Sequence, residues 1–427
     1  MEGHLLHGLS VRHSAQSLRI HIRAAGFEVV ATGLTLLLPY SLPLVMLIAP
    51  NPVIVAGSPA PLRCDVMTCT MHKIPFYPVA FLIKTALQNG GISPKKIHIL
   101  LLYLIRYLLL EPFRLVEIHI YQKKITAHKI KQPPIFILGH WRSGTSHLQN
   151  ILRLDPGIST STIFRSIFAD NYYLTESWLK RALNFLCSTL KIRYSIQRTT
   201  MDMDLPAELD LALCAICSKH SYSWGHILPK SFARRVDRQI LFEDDQIADS
   251  WREDYDYMIR KLSYRSGGRR VLVKSPGDTA RISHIRRKYP EAKFIFIHRD
   301  PVSVYHSSEY LWETIQRHVS LHEIQKTEIQ DLILNTYQRL LSNYLKQRIE
   351  IPNEQLVEIC HRDLQQDPLG EIRKIYSKLE LGTPPEKELA HFLAATESYK
   401  HTHYSTPPEL KAKLAARWSF AFEEWPA

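Results

Sequence analysis

Disulfide chemistry has no footing in this chain. Its 427 residues carry six cysteines, at 64, 69, 187, 214, 217 and 360, without the spacing of a small secreted scaffold. Cys214-x-x-Cys217 followed by His220 resembles half of a zinc site, but no second Cys or His pair completes four ligands. The pair reads as small buried residues, and no metal is expected. No internal repeat or low-complexity tract is visible, which sets aside solenoid and fibrous architectures. Aromatic and basic residues do not interleave as in RNA-binding modules, so no nucleic-acid partner is expected. Acidic residues are the scarcer charge: 41 Asp and Glu against 54 Lys and Arg leave a formal charge of +13. That excess suits an anionic small ligand or acidic lipid headgroups. It is also spread along the surface (Arg234-Arg235, Arg269-Arg270, Arg286 to Lys288), as on an ordinary solvated face.

Charge is missing altogether from Val29 to Leu62. The run from Val29 to Ala49 is long enough to span a bilayer, and the preceding Arg12, Arg19 and Arg23 would keep the N-terminus cytoplasmic. Pro39, Pro43 and Pro50 interrupt it, and the run starts too late and is too long for a signal peptide. Residues 1–74 are therefore expected to be a disordered leader, with a membrane anchor as the alternative and a start at Met67 or Met71 as a third reading. A cytoplasmic location is favoured on this view, with anchoring through 29–49 as its rival.

The most informative stretch is residues 135–148, Ile-Phe-Ile-Leu-Gly-His-Trp-Arg-Ser-Gly-Thr-Ser-His-Leu. Ile135 to Leu138 read as a buried strand, Gly139 to Gly144 as a tight loop, and Thr145 as the start of a helix with Leu148, Ile151 and Leu152 on one face. Unpaired N–H groups and the helix dipole make such a junction an anion site. The phosphate loop of ATP and GTP enzymes puts a lysine after its last glycine. Here Thr145 stands there, and the only cation is Arg142 inside the loop. A second strand, Phe294 to Ile297, ends in His298-Arg299-Asp300, with Pro301 suited to a first helical turn and Ser307 two turns on. Ligands gather at the carboxyl ends of parallel strands, so Arg299 should face the Gly139 loop. His298-Arg299-Asp300 imitates the protein-kinase catalytic loop, but the position that needs Asn is Tyr305 and no Asp-Phe-Gly follows.

The loop Gly139-x-x-Arg142-Ser143-Gly144-Thr145-Ser146 resembles the 5′-phosphosulfate loop of sulfotransferases that use 3′-phosphoadenosine 5′-phosphosulfate (PAPS). Arg299 and Ser307, eight positions apart, match the family's 3′-phosphate pair. Lys274-Ser275-Pro276, then Pro290-Glu291-Ala292-Lys293-Phe294 and Arg299-Asp300-Pro301, resemble the form found widely in bacteria. That form carries a His where this chain has Asp278. The resemblance covers roughly residues 75–427. It implies that PAPS lies on Gly139, Arg142, Ser143, Gly144, Thr145, Ser146, Arg299 and Ser307, with Arg142 and Lys274 offsetting charge on the leaving oxygen. Glu208, the first acid of Pro206-x-Glu208-x-Asp210, would be the base; its alternative is a plain helix-start acid, capped from Asp204. His140, His147 and His298 lie close enough in sequence to substitute. A sulfuryl group carries less charge than a triphosphate, so no metal is expected in the chemistry.

Strands at 134–138, 270–274, 293–298 and 355–360 alternate with helical patterns, the signature of a parallel sheet. The expected fold is a three-layer α/β domain of the P-loop nucleotide-binding type spanning 75–427. Residues 157–260 show no strand pattern and should form helical insertions over the acceptor site, while the apolar helix near 97–122 should pack into the core, with a membrane surface as its alternative. The acceptor could be carbohydrate, lipid, peptide tyrosine or a small alcohol. Two rival functions are a P-loop kinase or NTPase, from the glycine spacing, and a non-catalytic membrane-associated nucleotide-binding protein, from the apolar N-terminus.

Overall fold

The computed structural model describes residues 19–24, 27–32, 73–194, 199–396 and 405–425. Backbone contacts divide the chain into two units, 1–62 and 63–427. In the first, Arg19–Ala24 and Phe27–Thr32 pair as an antiparallel hairpin. Val29 to Thr32 therefore lie in a strand, and the rest of the charge-free run to Leu62 is outside the described residues. No helix among the described residues is long and apolar enough to cross a membrane.

The second unit starts with α1 (Tyr77–Gln88) and the long α2 (Ile97–Ala127). The nucleotide-type core follows: β1 (Ile135–Leu138), α3 (Thr145–Leu152) and β2 (Ile158–Thr160). After a helical excursion containing α4 (Leu209–Ala215) and α5 (Asp245–Arg265) come β3 (Arg270–Lys274), α6 (Ile282–Lys288) and β4 (Lys293–His298). The chain ends through α7 (Pro301–His318), α8 (Lys326–Gln347), β5 (Leu356–Cys360), α9 (Pro368–Lys378) and α10 (Pro408–Arg417). The five strands form one parallel sheet in the order β2-β3-β1-β4-β5.

The run Ile135 to Leu138 is uninterrupted because both sheet faces are covered. Phe136 and Leu138 join Val271, Val273, Phe294 and Phe296 in a cluster closed by Trp251, Tyr255 and Ile259 of α5 and by Leu340 and Tyr344 of α8. Ile135 and Ile137 turn the other way, to Leu148, Ile151 and Leu152 of α3 and to Ile372 and Ile375 of α9. Each such side chain contributes about 1.5–3 kcal/mol on burial, so the two faces fix the strand register. The result is the three-layer sandwich expected from the strand alternation.

Two expectations need correction. The 157–260 segment does contain a strand: β2, at the sheet edge, has three residues, too few to show a period. The helix expected to begin near Asp204 begins at Leu209. Residues before it are held extended, with Pro206 bridged to Thr162 and Ala207 N–H donating to the Ser161 carbonyl. Pro276–Ala280 close a 3₁₀ turn, and α6 starts after it at Ile282.

Candidate active site

Register places the site. Ile137 pairs with Lys274, and Leu138 pairs with Phe296, so β1, β3 and β4 end at one edge of the sheet. The Gly139 loop, Ser275 and Arg299 all leave from that edge. Gly139 has φ +139° and packs so tightly on the Ile297 carbonyl and Ser143 hydroxyl that a Cβ would not fit. The Thr279 hydroxyl is bonded to both its N–H (2.8 Å) and its carbonyl (3.2 Å). Ser143 closes the turn, donating from N–H and hydroxyl to the His140 carbonyl. Gly144, φ +104°, is the N-cap of α3, and the His361 ring lies where its Cβ would be. Arg142 sits at φ +72°, a conformation a non-glycine residue adopts at a cost of about 1–3 kcal/mol and typically at functional positions.

The two motifs meet. Arg142 Nε donates to Ser307 Oγ at 2.8 Å, and Arg299 Nη1 donates to the Arg142 carbonyl at 3.3 Å. Ser307 is buried on the inner side of α7. Two guanidinium groups, a buried hydroxyl and a helix N-terminus thus converge from two separate stretches of sequence. Such a donor set, with no acid in it, fits an anionic group with more than one phosphate-like centre.

Beside the loop, Lys274 Nζ lies 3.4 Å from Glu208 Oε1, and the Tyr222 hydroxyl donates to Glu208 Oε2 at 3.0 Å. Glu208 is the N-cap residue of α4, yet its side chain makes no cap hydrogen bond. Its carboxylate is turned to Lys274 and Tyr222 instead, so it is not a simple helix-start acid. Burial pulls the Lys274 ammonium down from its ordinary value; Glu208 opposes that pull and the nearby Arg142 adds to it. Burial pushes the Tyr222 phenol well up, so it remains a donor. Tyr222, Thr279 and His361 were not singled out from sequence. Tyr222 comes from a loop after α4, Thr279 from the 3₁₀ turn after β3, and His361 from the start of the helix after β5.

Other marked residues have structural tasks. Asp278, at the position of the family histidine, is fully buried between Tyr255 and Arg281, with its carboxyl pushed up to about 7 by burial. Asp210 accepts from Ser221 and Ser223. Asp300 caps α7, accepting from the N–H groups of Val302 and Ser303, which explains the kinase-like triplet. His140 is buried, its Nδ1 2.7 Å from the Trp141 carbonyl, and burial takes it down to about 4. His298 stacks on Trp425 and is likewise lowered to about 4 by burial. Neither presents a basic nitrogen to the loop. Cys214 and Cys217 are buried in an apolar cluster with Leu82 and Trp224, and Cys217 Sγ donates to the Tyr107 oxygen at 3.6 Å.

A parallel sheet of this order, with an arginine-bearing glycine loop facing an Arg–Ser pair, defines an α/β domain of P-loop-like architecture with an anion-binding site at its strand ends. The chain belongs to the Sulfotransferase family, whose model matches residues 133–385. It is an enzyme that transfers a sulfuryl group, which excludes the kinase and the non-catalytic readings. It is 26% identical over 306 residues, 70% of this chain and 76% of the relative, to the omega-hydroxy-beta-dihydromenaquinone-9 sulfotransferase Stf3 of Mycobacterium bovis. The Mycobacterium tuberculosis protein of the same name matches equally, at 26% over 306 residues. In fold it is similar to sulfotransferase STF9 from Mycobacterium avium, with TM-score 0.63, 19% identity, and 82% of this chain and 90% of that one covered. STF1 from Mycobacterium tuberculosis follows at TM-score 0.57 and 17% identity, covering 82% of this chain and 93% of that one.

Proposed function

We propose that the donor is PAPS and that the acceptor is a hydroxyl group carried by an apolar, lipid-like molecule. Residues 75–427 would form the catalytic domain. The observation that carries the donor reading is the convergence of Arg142, Arg299 and Ser307 at one strand edge. Arg142, Gly144, Thr145 and Ser146 would hold the 5′-phosphosulfate through backbone N–H groups and one guanidinium, while Gly139 and Ser143, whose N–H groups are bonded to Thr279 and His140, would shape the loop around it. Arg299 and Ser307 would hold the 3′-phosphate. When bound, PAPS supplies the sulfuryl group and a good phosphate leaving group.

The chain's own residues do the rest. Glu208 takes the acceptor hydroxyl proton, its carboxylate oriented from both sides by Tyr222 and Lys274. Lys274 and Arg142 offset negative charge that grows toward the loop as the bond to sulfur breaks. Support for an apolar acceptor comes from the rings on this side of the site: Trp141 packs edge-on to Tyr222, His226 and Phe232 at 5.5–6.4 Å. The curated relatives, named for a menaquinone-type lipid alcohol, point the same way.

The test is transfer from ³⁵S-labelled PAPS into an extract of total lipid and soluble metabolites, followed by identification of the product. Arg299→Ala and Ser307→Ala should each weaken PAPS binding by roughly tenfold or more, measured by calorimetry, each removing a phosphate donor. Unchanged PAPS affinity in both variants would contradict the donor assignment. Label appearing only in water-soluble products would contradict the acceptor class.

A further inference from the structure

The outer face of α2 is apolar and has no partner among the described residues. Ile97, Leu101, Leu102, Ile105, Leu108, Leu109, Val116 and Ile120 are all exposed, Leu102 at 65% and Leu109 at 69%. Their spacing puts them on one side of the helix, a stripe about 35 Å long at a rise of 1.5 Å per residue. Exposed apolar surfaces of this extent mark a binding face. The opposite side of α2 is where its charges go. Glu111 binds Arg114 and the Phe76 N–H, Glu117 binds Lys261 of α5, and Arg106 binds Asp170. Trp178, half-exposed, rests against Phe113 with ring centroids 5.7 Å apart and widens the stripe.

The charge at the ends of the stripe selects its occupant. Lys95 is exposed at one end, Lys123 and Lys124 at the other, and Lys84 on neighbouring α1. Between residues 73 and 131 the only acids are Glu111 and Glu117, both buried. A second copy laid antiparallel on this face would set Lys95 against Lys123 and Lys124 with nothing to offset them. A bilayer with anionic headgroups answers both features at once, taking the side chains of the stripe at the acyl boundary and pairing phosphates with the lysines.

We infer that α2 is an interfacial helix that docks the enzyme on an anionic phospholipid surface. The inner side of the same helix touches α4: the Tyr107 hydroxyl donates to the carbonyl of Ala215, the last residue of that helix, whose N-cap position is Glu208. The inference stands on the surface of α2 and needs no particular acceptor.

The experiment is co-sedimentation of the full chain with vesicles of phosphatidylglycerol and phosphatidylcholine in equal parts, and with phosphatidylcholine alone. Neither vesicle contains an acceptor, so the result is separable from the acceptor reading. The chain should sediment with the anionic vesicles, and release as salt rises. The double variant Leu102→Glu/Leu109→Glu should weaken binding by roughly tenfold or more. Lys123→Glu/Lys124→Glu should do the same while leaving binding to neutral vesicles unchanged. Both variants should keep wild-type PAPS affinity and melting temperature, which shows that they are folded. No binding of the wild-type chain to anionic vesicles overturns the inference, as does wild-type binding by Leu102→Glu/Leu109→Glu. A dimer that this variant dissociates, without vesicle binding, also overturns it and assigns the face to a second copy.

Discussion

Glu208, Tyr222 and Lys274 form a chain of donors and acceptors at the mouth of the Gly139 loop. Lys274 is nearly inaccessible and has only one acid near it, so burial and Arg142 both work against its charge. Removing Glu208 leaves that ammonium buried beside a second cation. Glu208→Gln keeps the shape and one acceptor oxygen but cannot take a proton. We expect kcat to fall by roughly 10²-fold or more with the KM for PAPS nearly unchanged, as a general base predicts. Lys274→Met should also lower kcat, by roughly 10²–10³-fold, the usual loss for one group stabilising developing charge. Steady-state kinetics of the two variants checks both. Equal loss in kcat/KM for PAPS through KM alone would instead make the pair a donor-binding feature.

Between strand β4 and helix α7 the chain must turn, cap a helix and present Arg299 within three residues. Asp300 does the capping, and Pro301 supplies the first-turn geometry. Asp300→Ala should therefore cost about 1 kcal/mol of stability, the usual value for a lost N-cap, and leave transfer measurable. Chemical denaturation with a parallel activity assay reads both effects. At the start of α3 the requirement is stricter. Gly144 combines a left-handed backbone with the His361 ring at the Cβ position. Gly144→Ala should abolish detectable PAPS binding, and adding His361→Ala should restore little, because the backbone conformation is still disfavoured. These junctions were legible in sequence because glycine, proline and acid spacing are local signals. The start of α4 was not: a pairing between Pro206 and Thr162, set by tertiary structure, decides it.

Across the whole molecule, sequence gave away the strands buried on both faces and the anion-binding turns, since each is a short contiguous pattern. It could not show that Asp278 would pair with Arg281, that Thr279 would tie down Gly139, or that α2 would leave one side uncovered. Those depend on which elements become neighbours. The same packing sets the acid response. Burial lowers His140, His220, His284 and His298 to about 4 each. An unfolded chain titrates its histidines near 6.5, so between these values it binds protons the native state refuses. Their contribution to stability is thus complete above 6.5 and is lost as the pH falls toward 4. Asp254 and Asp278, raised by burial to about 6 and about 7, have the opposite sign: the native state holds their protons, and they favour folding as the pH falls. His140 can be separated from this background by difference. Its shift from 6.5 to about 4 corresponds to about 3 kcal/mol. His140→Gln should therefore lose less stability than the native chain between pH 6.5 and 4.5. Denaturant titrations at both pH values measure the difference. Parallel pH curves for the two proteins would mean that the imidazole is solvated and charged in the native state, contrary to its position under Trp141 and Tyr337.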